Sequence, residues 1–172
     1  MPAAVLLGGA TAAAEPIRLL ALGDSLTAGY GLTESDSFTV RLEAALRDRG
    51  YDIEVQNGGV SGDTTAGGLA RLDWVLSDRP QLVLLELGAN DGLRGLDPEE
   101  TRRNLAGILA VLTERRIPTL LAGMYAPPNL GGDYGTTFDR LYPALAAEYG
   151  VPLYPFFLEG VAARPALNQA DG

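Results

Sequence analysis

Three short polar stretches in this sequence carry the residue types that chemistry needs. Gly23-Asp24-Ser25 breaks off the apolar run Leu19-Leu20-Ala21-Leu22. A serine presented by a tight turn at the end of a buried strand is a candidate nucleophile, and the adjoining glycine lets a substrate approach the backbone. The same residues also read as a plain strand-to-helix turn with Asp24 or Ser25 as the cap. Asn57-Gly-Gly-Val-Ser-Gly-Asp-Thr-Thr65 and Gly88-Ala-Asn-Asp-Gly92 are the other two stretches. Gly62 within the first of them reads equally as a turn glycine, and Asn90 and Asp91 as caps of the loop they sit in. Asp24, Asp63 and Asp91 could gather as a hard-cation site, although no paired D-x-D spacing supports that reading.

Composition narrows the chemistry further. The 172 residues contain no cysteine and no histidine, and all 13 basic residues are arginine. Thiolate nucleophiles, disulfides and cysteine metal sites are excluded, and the usual general base is missing. The lack of lysine removes Schiff-base chemistry and a P-loop lysine. A formal net charge of −9 argues against nucleic acid as a partner and against a basic membrane-binding face. No cofactor and no metal are expected.

The elements that must position these loops alternate in type. Strands are expected over 17–22, 52–56, 81–87, 117–122 and 151–154, the third being a nearly unbroken apolar run suited to the centre of a parallel sheet. Helices are expected over 37–49, 65–77 and 137–149, with a further one opening at Asp97-Pro98-Glu99-Glu100, where Asp is the N-cap and Pro the first helical residue. That helix turns Leu105, Ile108, Leu109 and Leu112 inward. Residues 124–136 read as a Pro/Gly-rich loop in which Tyr125, Pro127 and Pro128 line a substrate wall or simply pack. Residues 155–172 read as mostly loop. The pattern gives an α/β fold, a three-layer α/β/α sandwich on a mainly parallel five-stranded sheet. Right-handed crossovers then bring all three polar loops to one rim. Glu86, in the third strand, reads as a hydrogen-bonded structural acid.

Residues 23–31, 57–65 and 86–92 together resemble blocks I, II and III of the GDSL esterase/lipase family, the SGNH hydrolases. The likeness is closer to its arylesterase, thioesterase I and lysophospholipase L1 branch and runs on through Leu-Arg-Gly-Leu-Asp-Pro and Val151-Pro-Leu-Tyr-Pro-Phe-Phe157. It differs from the G-x-S-x-G elbow of α/β-hydrolases, because Thr27 stands at the second glycine. The resemblance implies an SGNH-type, flavodoxin-like fold and a metal-free serine hydrolase of esters or thioesters. By the same likeness Ser25 is the nucleophile, and the N–H groups of Ser25 and Gly62 and the Asn90 amide form the oxyanion hole. Asp171 matches the acid that orients a histidine base two residues beyond Gly172.

The chain is accordingly expected to be a single domain over residues 15–172 that lacks the histidine loop and last helix, is essentially inactive alone, and leaves apolar surface uncovered. A non-catalytic small-molecule or carbohydrate-binding α/β module is the alternative. The small, apolar residues 1–14 end in an Ala-x-Ala pattern, which implies a secretory leader and a periplasmic or secreted protein. No stable membrane anchor is expected.

Overall fold

The computed structural model describes residues 15–168, so the leader expected over 1–14 and the Asp171 position lie outside the described residues. Five strands form one sheet: β1 (Ile17–Gly23), β2 (Ile53–Gly59), β3 (Leu82–Glu86), β4 (Thr119–Ala122) and β5 (Leu153–Tyr154). Their order is β2-β1-β3-β4-β5, and every neighbouring pair is parallel. Around them run α1 (Ser25–Ala28), α2 (Phe38–Arg47), α3 (Thr65–Ala70), α4 (Leu72–Val75), α5 (Ala89–Leu93), α6 (Pro98–Glu114) and α7 (Gly132–Tyr149).

Parallel neighbours require crossovers, and the right-handed crossover decides which face each helix covers. The step from β1 to β2 runs one way along the sheet and places α2 on one face. The later three steps run the other way and place α3, α6 and α7 on the opposite face, where α6 packs between the other two. Leu20, Leu22, Val83, Leu85 and Leu121 point from the sheet into that second layer. They meet Leu105, Ile108, Leu109 and Leu112 of α6, and Phe138, Leu141 and Leu145 of α7, all buried. Each such side chain contributes about 1.5–3 kcal/mol on removal from water.

The first face is thinner. Only α2 lies over it among the described helices, and its Phe38, Leu42 and Leu46 are half-buried. Leu42 and Leu46 line one side of an apolar groove of about 970 Å³, whose floor is Leu19, Leu82, Leu84 and Leu120 of the sheet. The alternation of these residues with those of the main core is the period-2 pattern of strands buried on both faces.

Several boundaries depart from the pattern read in the sequence. The helix expected over 65–77 is interrupted at Arg71 (φ −97°, ψ 4°) and ends in a 3₁₀ turn over Leu76–Asp78. Arg71 turns its guanidinium to Asp63 and to the Gly23 carbonyl, and these tertiary bonds override the helical period. β2 runs three residues beyond its expected end because Gly58 and Gly59 pair with Leu22 and Gly23. α7 begins five residues early, at Gly132. Tyr134 stacks on Phe138 (5.9 Å between centroids) and donates to the Leu96 carbonyl, which ties the extra turn to the core. The one-turn helices α1 and α5 are too short for any period to reveal. No helix among the described residues is long and apolar enough to cross a membrane.

Candidate active site

β1 and β3 lie side by side at the centre, and the chain leaves them in opposite directions. In such a sheet the crevice beyond the carboxyl ends of the two strands is where ligands bind. The loops that diverge there are the Ser25 turn and the Gly88–Gly92 segment.

Ser25 is the first residue of α1 and is half-buried. Its hydroxyl makes no hydrogen bond among the described residues, and its N–H, at a helix start, has no intrahelical acceptor. Asp24 is the N-cap, as the plain reading of this turn expects. One Asp24 oxygen accepts from the Leu26 N–H at 3.0 Å. The other accepts from the Asn90 amide at 3.1 Å. That bond uses one of Asn90's two N–H groups and fixes the plane of the amide, leaving the second N–H to donate elsewhere.

Gly62 has φ +79°, a left-handed conformation that a Cβ would strain. Its carbonyl accepts from Arg94 at 2.7 Å, and its N–H has no acceptor among the described residues. Arg94 caps the C-terminus of α5, the helix that carries Asn90, so Gly62 and Asn90 are anchored to one element. The second loop also leans on the serine turn. The Val60 N–H donates to the Gly23 carbonyl, and a Cβ at Gly59 would come within 2.2 Å of the Ala28 nitrogen.

The acids considered for a cation turn to separate protein donors. Asp91, buried, accepts from the Thr65 N–H (2.9 Å), the Thr65 hydroxyl (2.5 Å) and the Thr101 hydroxyl (3.3 Å). Asp63 pairs with Arg71 at 2.7 Å. Asp24 caps α1 and holds Asn90. Among the described residues no three such side chains form a metal-binding group.

Electrostatics around the turn is dominated by burial. Burial raises the Asp24 carboxyl above its ordinary range, with the Asp63 and Asp91 charges adding to the rise and the Leu26 and Asn90 hydrogen bonds opposing it. Glu86 is pushed up to about 8, by burial first and by the neighbouring Asp24 charge second.

Ser25, Gly62 and Asn90 thus stand on adjoining, mutually bonded elements, whereas Asp171 lies outside the described residues. Tyr125 stacks on Phe156 at 4.6 Å and is half exposed, and Pro127 lies beside Gly92 of α5. Arg71 and Arg94, bonded to the backbone carbonyls of Gly23 and Gly62, escaped the sequence reading. An arginine in a loop or on a short helix carries no signal of the distant carbonyl it will reach.

Comparison with known proteins agrees with this architecture. Residues 21–172 match the model of the GDSL-like Lipase/Acylhydrolase family. The chain is 46% identical over 155 residues to Esterase TesA of Pseudomonas aeruginosa, covering 90% of this chain and 77% of that protein. It is 42% identical over 169 residues to the Thioesterase 1/protease 1/lysophospholipase L1 of Escherichia coli K12, covering 98% and 79%. Among solved structures, AlinE4, described as a SGNH-hydrolase family esterase, superposes with a TM-score of 0.90 at 54% identity, covering 94% of this chain and 87% of that one. With the serine turn, the Gly62 loop and the Asn90 loop meeting at the switch point of a 2-1-3-4-5 parallel sheet, the chain belongs to the GDSL, or SGNH, hydrolase family.

Proposed function

We propose that this protein is the scaffold of a serine hydrolase that cleaves carboxylic esters or thioesters through an acyl-enzyme on Ser25. The observation that carries this is the Asn90–Asp24 hydrogen bond beside a Ser25 hydroxyl that makes no hydrogen bond among the described residues. It fixes the Asn90 amide on the residue next to Ser25, and in this reading the second N–H is a neutral donor for the oxyanion that adds no charge.

In the first half-reaction the Ser25 oxygen bonds to the substrate carbonyl carbon and its proton passes to a general base. The tetrahedral oxyanion is held by the N–H groups of Ser25 and Gly62 and by Asn90, each worth roughly 2.7–4 kcal/mol in comparable hydrolases. The alcohol or thiol leaves with the proton, and water repeats the sequence to release the carboxylic acid. Asp171 orients a histidine base in this reading. The 172 residues contain no histidine, and losing that base costs about 2 × 10⁶ in kcat in a comparable serine hydrolase. Alone, the chain is therefore essentially without turnover. The Ala-x-Ala ending of residues 1–14 supports export to the periplasm or medium, which fractionation with N-terminal sequencing tests.

Intact-mass analysis after long incubation with a fluorophosphonate should show a single adduct at Ser25, absent from Ser25→Ala. Hydrolysis of p-nitrophenyl acetate should be equal in the two proteins. Turnover that depends on Ser25 and approaches that of the Pseudomonas TesA esterase would overturn the missing-base argument. No adduct, with saturable binding of an ester or sugar, would instead support a binding module, the reading that the absence of histidine favours.

A further inference from the structure

Glu86 closes β3 directly opposite Gly23 of β1, and its side chain is wholly buried. One carboxyl oxygen, Oε2, accepts from the Thr27 hydroxyl at 2.7 Å and faces the Asp24 N–H at 3.3 Å. Those two donors bracket Ser25: Asp24 precedes it and Thr27 follows two residues later. Gly23 makes the arrangement possible, since a Cβ there would lie 2.5 Å from Oε2 and 2.1 Å from the Thr27 hydroxyl oxygen. The second oxygen, Oε1, is buried with no partner among the described residues.

A carboxyl at this place is expensive, because a leucine would fill the sheet as Leu84 and Leu85 do. Among the described residues its hydrogen bonds go to the serine turn alone. α1 is four residues long, far below the length at which a helix holds its own shape, so its orientation must be imposed from outside. We propose that Glu86 is a positioning residue for the nucleophile: through Thr27 and the Asp24 amide its carboxyl fixes the one-turn helix that presents Ser25, and with it the Asp24 side chain that orients Asn90. The proposal rests on the reading of Ser25 as nucleophile.

The titratable and charged groups about Glu86 are Asp24 at the β1–α1 junction and Tyr142 of α7, whose hydroxyl donates to the Leu87 carbonyl. Asp63 and Asp91 stand beyond Asp24, and Arg71 sits on the Gly23 carbonyl. Burial and the Asp24 charge keep Glu86 protonated up to about pH 8. As a neutral acid it grips the turn without placing another negative charge beneath a developing oxyanion.

Amide hydrogen exchange read by NMR on the 172-residue chain tests the clamp directly. In Glu86→Leu and in Thr27→Val, the amides of residues 24–28 should exchange at least 10-fold faster than in the parent, while those of Leu84 and Leu85 stay unchanged. Glu86→Gln, which keeps an acceptor, should restore slow exchange. The saturating rate of Ser25 phosphonylation by a fluorophosphonate should fall about 10-fold in Glu86→Leu with the half-saturating concentration unchanged. An inflection of that rate near pH 8 should be present in the parent and missing in Glu86→Gln. Faster exchange spread evenly over the core, or no change at residues 24–28, overturns the proposal. Should Glu86→Leu not fold, Thr27→Val and Glu86→Gln decide it alone. If Ser25 takes no adduct even in the parent, the nucleophile reading fails, while the exchange pattern still judges the clamp.

Discussion

Replacing Glu86 by glutamine should make the protein more stable, and by an amount that grows with pH. The carboxyl titrates near 4.5 in an unfolded chain and is pushed up to about 8 in the folded one. Between those values the unfolded state has released a proton that the folded state keeps. Stability therefore falls as pH rises through that window and levels off above it. At 1.36 kcal/mol per unit, a rise of about 3.5 units corresponds to a loss of about 5 kcal/mol once the pH is well above 8. Asp24, raised by burial and by its acidic neighbours, adds in the same direction. Glutamine has the same shape, keeps an oxygen for Thr27 and the Asp24 N–H, and does not titrate. Urea denaturation of both proteins at half-unit steps from pH 4.5 to 9 gives the difference directly. It should be small at the acid end, widen by about one kcal/mol or more per unit through neutrality, and flatten above pH 8. A difference that stays constant across the range would refute the argument that Glu86 is folded in its neutral form.

Asp91→Ala leaves the buried Thr65 N–H and hydroxyl without their acceptor and the Thr101 hydroxyl with only the Asp97 carbonyl, and should destabilise the protein by about 3 kcal/mol in urea melts; a loss below 1 kcal/mol would show the network to be dispensable. Gly59→Ala pushes a methyl against the backbone of Ala28 and Asp24, which has nowhere to go. It should cost about 2 kcal/mol and slow phosphonylation of Ser25, both measured against the parent. Gly135→Ala lies inside α7 with open space around the added carbon, and should raise stability by about 0.5–1 kcal/mol in the same melts.

The parts of this molecule legible in the sequence are those set by period and by caps. The apolar run before Gly23, the uninterrupted strand over 82–86 and the Asp97-Pro98 helix start each carry their own signal, and each stands where it was expected. The candidate site was legible as three loops because strand ends in a parallel sheet share one rim. What stayed hidden depends on contacts remote in sequence. Arg71 breaks a helix to reach Gly23, 48 residues away. Thr27 donates its hydroxyl to Glu86, 59 residues later. Tyr134 recruits a glycine-rich stretch into α7 by stacking on Phe138. None of these follows from local propensity, which tertiary contacts override at about a kcal/mol per residue.

The position of β1 between β2 and β3 has a consequence for biosynthesis. Among the described strands β1 leaves the ribosome before the others, yet one edge waits for Ile53–Gly59 and the other for Leu82–Glu86. With no hairpin partner nearby, the edge that takes β3 stays open while roughly sixty further residues are made, about 3–12 s at 5–20 residues per second. A pause in translation before β3 emerges would hold the nascent chain at its most aggregation-prone point. Codon choice upstream of Leu82 should therefore affect the yield of soluble protein more than codon choice downstream of it.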